Sequence, residues 1–143
     1  DYGGLDALTA YGVAIADREA RDDESVAAYG RDLAARVPAS HLDFFRTLRI
    51  SHTAGDYFFV HGGVRPGVPL EKQSARDCLW IRKTFLNSDA DHGAMIVHGH
   101  SISDQPEIRH NRIGVDTGAY RSGVLTCLVL AGTTRDFLQT PGP

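Results

Sequence analysis

Little in this chain points to a membrane, a nucleic acid or a disulfide scaffold. No apolar run is long enough to span a bilayer, and no signal-peptide pattern opens the sequence. A formal charge of −3 leaves no basic excess of the kind a general nucleic-acid binder shows. Cysteine is scarce. Cys78 and Cys127 each stand among apolar neighbours and read as reduced, buried thiols of a cytoplasmic protein, in preference to a disulfide. There is no internal repeat and no low-complexity tract. An opening methionine is missing too: Asp1-Tyr2-Gly3-Gly4 starts in mid-pattern, so a truncated or processed polypeptide is expected.

What is present is enough for one ordinary domain, or a piece of a larger one: 143 residues, of which 42% are apolar. The character changes near residue 49. Residues 1–48 read as helical. Leu5, Leu8 and Tyr11 stand at helical spacing up to Gly12, and Asp22 or Asp23 can cap a second helix. Val26, Tyr29, Leu33 and Val37 make an apolar stripe that Pro38 stops, and Leu42, Phe44, Phe45 and Leu48 mark a third helix. Both stripes are expected to be core. Residues 49–143 read as mostly sheet. Arg49 to Ala54 and Tyr57 to His61 flank a Gly55-Asp56 turn, which is a hairpin signal. Further strands are expected at Ala94 to His98, Arg112 to Asp116, Val124 to Ala131 and Asp136 to Gln139, with one helix around Cys78 to Leu86. The pattern is α+β.

The most informative stretch is Tyr57-Phe58-Phe59-Val60-His61-Gly62-Gly63. A short aromatic and β-branched run ends in a histidine, and two glycines then open a loop. His61 would sit at the carboxyl end of a strand, where open α/β sheets place their chemistry. The same arrangement recurs at Ile96-Val97-His98-Gly99-His100-Ser101. If the two strands are neighbours, the imidazoles of His61 and His100 converge at one edge, and neutral imidazole is a good ligand for divalent metals. Two unrelated loop histidines are the alternative. His98 and His100 share a face only if Gly99 does not break the strand. Arg82, beside Trp80 in the expected helix, could be a forked oxyanion clamp or a solvated charge. The same pair of readings applies to Arg65, after the His-Gly-Gly turn, and to Arg121, after Asp116-Thr117-Gly118-Ala119-Tyr120. Asp116 could orient an imidazole or simply accept backbone bonds in a turn.

Taken together, Phe59 to Gly67, Leu79-Trp80-Ile81-Arg82, Ile96 to Ser101 and Arg112 to Tyr120 resemble, in order and spacing, the C-terminal part of bacterial serine/threonine phosphoprotein phosphatases. These are calcineurin-like metallophosphoesterases. The resemblance runs over nearly the whole chain; Gly3-Gly4 through Tyr11-Gly12 is similar to the segment after the family's central asparagine motif. It implies part of a β-sandwich flanked by helices, with a helical N-terminal third. It also implies hydrolysis of a phosphorylated protein or small phosphate ester by water activated between two divalent metals: manganese, or else iron or zinc. By match, His61 and His100 would be metal ligands and Arg82 would bind the substrate phosphate; His98 falls where the family varies and, like Asp116, would at most stand behind the ligands. Arg65 and Arg121 are possible anion contacts.

The family's N-terminal runs, Gly-Asp-x-His-Gly, Gly-Asp-x-x-Asp-Arg-Gly and Gly-Asn-His-Glu, are not in this chain. Gly55-Asp56-Tyr57 has only the start of the second, and Asp56 is better explained as a hairpin turn; His110-Asn111-Arg112 has fitting residue types in the wrong order. Two neutral imidazoles can neither hold nor neutralise two divalent cations. The chain alone is therefore expected to be catalytically incompetent, with an exposed sheet edge. A dinucleoside polyphosphate hydrolase of the same fold family is the nearest alternative activity, and a non-catalytic, phosphatase-like binding module is the alternative of a different class.

Overall fold

The computed structural model describes residues 4–16 and 22–142. The chain divides into two compact units, Asp1–Leu48 and Arg49–Pro143. The beginning of the family resemblance, at Gly3, lies outside the described residues.

The first unit carries three helices: α1 (Gly4–Ala10), α2 (Asp23–Arg36) and α3 (Ala39–Thr47). α1 ends as its sequence directs. Gly12 takes φ +73, and the amides of Tyr11 to Val13 turn back onto the carbonyls of Ala7, Thr9 and Leu8. At α2, Asp22 is the cap: its Oδ1 accepts the Ser25 N–H at 2.8 Å, and this bond holds the carboxyl below its ordinary value. The Tyr11 hydroxyl and His41 Nδ1 lie 2.9 Å apart. The expected core stripes are corrected here. No residue of α2 or α3 is buried, and Val26, Phe44 and Leu48 are each more than half exposed. A 3.6-residue period says which face of a helix is apolar, but not that anything covers it.

The second unit is built on a five-stranded sheet. β1 (Ser51–Ala54) and β2 (Tyr57–Val60) form the expected hairpin, with Gly55 at φ +55 in its turn. β3 (Met95–His98) pairs parallel to β2, opposing Val60 to His98. β4 is the two-residue strand Glu107–Ile108, which no apolar run announces, and β5 is Arg112–Gly114. β5 runs parallel to β3 and β4 antiparallel to β5, giving the order β1-β2-β3-β5-β4. A separate hairpin joins β6 (Thr126–Ala131) and β7 (Thr134–Gln139). Its alternating burial leaves Cys127 on the open face, so only Cys78 is the buried thiol that was expected of both. Burial pushes the Cys78 thiol up and keeps it protonated.

One face of the sheet packs the core. Phe58, Val60 and Ile96 meet Val64, Cys78, Ile81 and Phe85, and each fully buried side chain of this size contributes roughly 1.5–3 kcal/mol. The single helix expected around Cys78 to Leu86 is two. α4 (Ala75–Trp80), capped by the Ser74 hydroxyl, and α5 (Lys83–Leu86) are separated by Ile81 and Arg82. Arg82 has φ −132 and ψ −102, well outside the helical region, so it stands in a break and not within a helix. On either side of the break Ile81 and Phe85 both enter the core, while Arg82 stays exposed. Among the described residues no helix is long and apolar enough to cross a membrane.

Candidate functional site

Because β2 and β3 are parallel neighbours, their carboxyl ends lie side by side, and the residues that follow them are His61 and the Gly99-His100 turn. The backbone ties the two turns together: Gly99 N–H donates to His61 O at 2.9 Å. His61 Nε2 and His100 Nδ1 stand 3.1 Å apart, with ring centroids 4.8 Å apart. The convergence expected from two similar strand ends is thus present.

Each turn has its own local cause. After His61, Gly62 N–H donates to Cys78 O at 2.6 Å, and Gly63 adopts φ +137. A Cβ on Gly63 would lie 2.3 Å from Cδ1 of the buried Phe85, so only glycine fits. At the second turn the left-handed residue is His100 itself, with φ +63. Ser101 N–H donates to Gly99 O at 2.6 Å, which makes His100 the centre of a three-residue γ-turn of the rare, positive-φ form. Such a conformation costs an L-residue about 1–2 kcal/mol. Trp80 lies edge-on to the His100 ring at 5.8 Å. Burial first, then the positive charge of Arg82 and the neighbouring His61 ring, hold His100 below the ordinary imidazole value. It is therefore neutral, as a ligand or hydrogen-bond acceptor must be.

His98 goes elsewhere. It is 3% exposed, packs edge-on against Phe85 at 5.0 Å and has its Nδ1 3.1 Å from Gly99 O. A carbonyl only accepts, so Nδ1 carries the proton and Nε2 is left without a partner. Burial holds this imidazole, too, below its ordinary value. Gly99 does break the strand alternation: His98 faces the core, and His100 faces His61.

Arg82 reaches the pair through the backbone, its Nη1 donating to His100 O at 2.8 Å. Arg65 is held on both sides by Asp77, at 2.9 and 2.6 Å, and this ion pair keeps the Asp77 carboxyl below its usual range. Asp116 accepts the Gly118 N–H at 3.0 Å, as a turn residue does. It also lines a cavity of about 230 Å³ together with His61, His100, Thr117 and Leu125. Arg121 is exposed on α6 (Ala119–Ser122). A larger cavity of about 490 Å³, at Ile50, Phe58, Leu70 and Cys78, lies away from both histidines. Chemistry, not volume, singles out the imidazole pair.

Arg112 is a residue that the sequence did not announce. It is 1% exposed, lies over the Phe85 ring at 5.7 Å and donates to the carbonyls of Leu86 and Ser88 at the end of α5. An arginine opening a short strand gives no signal of this.

Metal–nitrogen bonds of about 2.0–2.1 Å put adjacent nitrogen ligands of one ion roughly 3.0–3.4 Å apart. The separation of 3.1 Å between His61 Nε2 and His100 Nδ1 fits two neighbouring positions on a single ion. It does not supply a closed or dinuclear site. No group of three or more histidine, cysteine, aspartate or glutamate side chains able to hold a metal exists among the described residues.

No protein-family model and no curated protein matches the chain. Among solved structures it is similar to the crystal structure of a "putative diadenosine tetraphosphatase", with a TM-score of 0.60 and 13% identity over 94% of this chain. The chain spans 64% of the length of that structure. A likeness at such low identity concerns the fold alone, and in fold this chain is a mixed α+β protein similar to that structure.

Proposed function

We propose that this chain forms part of a metal-dependent phosphoester hydrolase, with His61 and His100 as two ligands of one divalent ion. The observation that carries this reading is the convergence of His61 Nε2 and His100 Nδ1 to 3.1 Å at the ends of adjacent parallel strands. An ion bound there would supply Lewis-acid polarisation of a phosphoryl oxygen and an activated water. The chain's own residues would do the rest. His61 and His100 hold their rings in register, the neutral state of His100 leaves a lone pair for coordination, and Arg82 has donors to spare for phosphate. Among the described residues, one of its five N–H groups is engaged, by His100 O. Asp116 lines the cavity beside the pair, where its carboxylate would favour a bound cation.

The substrate proposed first is a phosphoserine or phosphothreonine protein, or a small phosphate monoester, with manganese as the metal and iron or zinc as alternatives. The likeness to the "putative diadenosine tetraphosphatase" favours a second reading, hydrolysis of a dinucleoside polyphosphate. Neither reading requires a nucleic-acid or membrane partner. A Co²⁺ titration of the chain, followed by absorption, tests the ligands. We expect binding that falls at least tenfold in both His61→Ala and His100→Ala; unchanged affinity in either variant overturns the assignment. On the full-length gene product, a phosphopeptide and diadenosine tetraphosphate compared as competing substrates separate the two activities. The chain alone should remain at least a thousandfold slower toward p-nitrophenyl phosphate, because two imidazoles do not complete a dinuclear site.

A further inference from the structure

Among the described residues, His100 is the one non-glycine with positive φ, and it sits at the centre of a γ-turn. That turn leaves the His100 carbonyl outside the sheet ladder. The group that meets it is the Arg82 guanidinium, donating from the break between α4 and α5 at 2.8 Å. Arg82 itself has φ −132 and ψ −102, so an irregular backbone at one element holds an irregular backbone at another.

We infer that Arg82 is a positioning residue: by gripping the His100 carbonyl it locks the γ-turn and thereby fixes the His100 ring against His61. Without that bond only the Ser101–Gly99 hydrogen bond closes the turn, and the His100 backbone can move to the extended, negative-φ region that an L-residue prefers. The side chain turns with it, and the separation of 3.1 Å between the ring nitrogens is lost. Of the two remaining restraints, Gly99 N–H on His61 O acts before His100 and Ser101 N–H on Gly99 O closes the γ-turn, whereas Arg82 bonds the His100 carbonyl itself. This role is separate from the phosphate contact proposed above, because it operates with no ligand bound.

Electrostatics and positioning predict opposite signs for the same substitution. A guanidinium beside a cation site repels the cation, so if charge alone mattered, Arg82→Ala would tighten metal binding. If Arg82 positions His100, the substitution weakens binding at least tenfold, as loss of a residue that orients a metal ligand commonly does.

The experiment uses the 143-residue chain, its Arg82→Ala variant and Arg82→Lys, whose ammonium can still donate to the carbonyl. In the metal-free proteins, the nuclear Overhauser contact between the His61 and His100 rings is measured together with hydrogen exchange at the Gly99 amide. The alanine variant should lose the ring contact while amides within β2 and β3 stay protected, and lysine should restore part of it. A ring contact unchanged in the alanine variant overturns the inference, and so does loss of protection throughout β2 and β3, which would make Arg82 a general fold determinant. The Co²⁺ arm rests on the metal reading. Affinity at least tenfold weaker in Arg82→Ala supports positioning; equal or tighter affinity refutes it. If the parent chain binds no Co²⁺, the metal reading falls, and the ring contact alone decides the positioning role.

Discussion

β2 and β3 lie side by side, and each ends in a turn that carries a histidine, yet the two turns take up their strain differently. After β2 the awkward backbone falls on Gly63, φ +137, pressed against the Phe85 ring, and His61 is left relaxed and exposed. After β3 it falls on the histidine itself, φ +63, with Arg82 holding its carbonyl. The first turn is therefore specified by packing and tolerates no side chain at one position. The second is specified by a hydrogen bond and keeps a strained residue whose imidazole is the part of interest. Strain stored on a candidate ligand invites a functional explanation in a way that strain on a glycine does not.

Four substitutions break or sharpen that contrast. Gly63→Ala should have the largest effect, since the new Cβ would lie 2.3 Å from Phe85, a ring that is fully buried. We expect a loss of roughly 3 kcal/mol or more from overpacking and backbone strain together, read from urea unfolding. A loss below about 1 kcal/mol would mean that the ring yields and that packing does not dictate the glycine. Arg112→Met, behind the same ring, should cost about 2–3 kcal/mol. The carbonyls of Leu86, at the end of α5, and of Ser88 just beyond it would lose a buried donor. A neutral outcome would show those carbonyls satisfied by other means.

His100→Gly makes the second turn resemble the first. Relief of the left-handed strain should stabilise the fold by about 0.5–1 kcal/mol, while Co²⁺ affinity falls at least tenfold. A thermal melt and a metal titration on the same sample check both, and destabilisation would remove the case for strain at this position. The smallest effect is expected of His92, which packs 5.7 Å from Phe85 and whose imidazole is held below its ordinary value of 6.5 chiefly by burial. As pH falls through 6.5 the unfolded chain takes up the proton before the folded one does. Stability from this residue therefore declines as pH drops, and levels off below the folded-state value. The difference in slope between the parent and His92→Gln, from unfolding at pH 7.5 and 5.5, should have that sign; a slope of opposite sign would contradict the burial.

How much of this was legible in the sequence follows from what sets each feature. The β1–β2 hairpin, the strand that ends at His98 and the convergence of His61 with His100 follow from local signals: short runs of aromatic and β-branched residues, Gly-Asp at a turn, and histidine at two strand ends. The break at Ile81-Arg82 was not legible, because Cys78, Ile81 and Phe85 fall on one face whether or not the helix is interrupted. Nor was the burial of Arg112, which depends on carbonyls 24 and 26 residues away in sequence. The apolar stripe of α3 is real as a pattern, but burial is a property of what lies opposite, and Phe44 and Phe45 remain more than half exposed. Cys127 misled in the same way, since a two-stranded hairpin has only one inner face.

The parallel pairing of β2 with β3 also has a kinetic consequence. His61 and His100 are 39 residues apart, and nothing local brings them together. They meet only after the α4–α5 segment has closed a long loop and β3 has docked, a non-local step of the kind that slows folding. A cation that needs both imidazoles would bind the docked chain and ignore its precursors. It would draw the equilibrium toward the paired sheet by mass action and slow the escape of β3 from it. The histidine corner would then report on the folding of the sheet as well as on its chemistry.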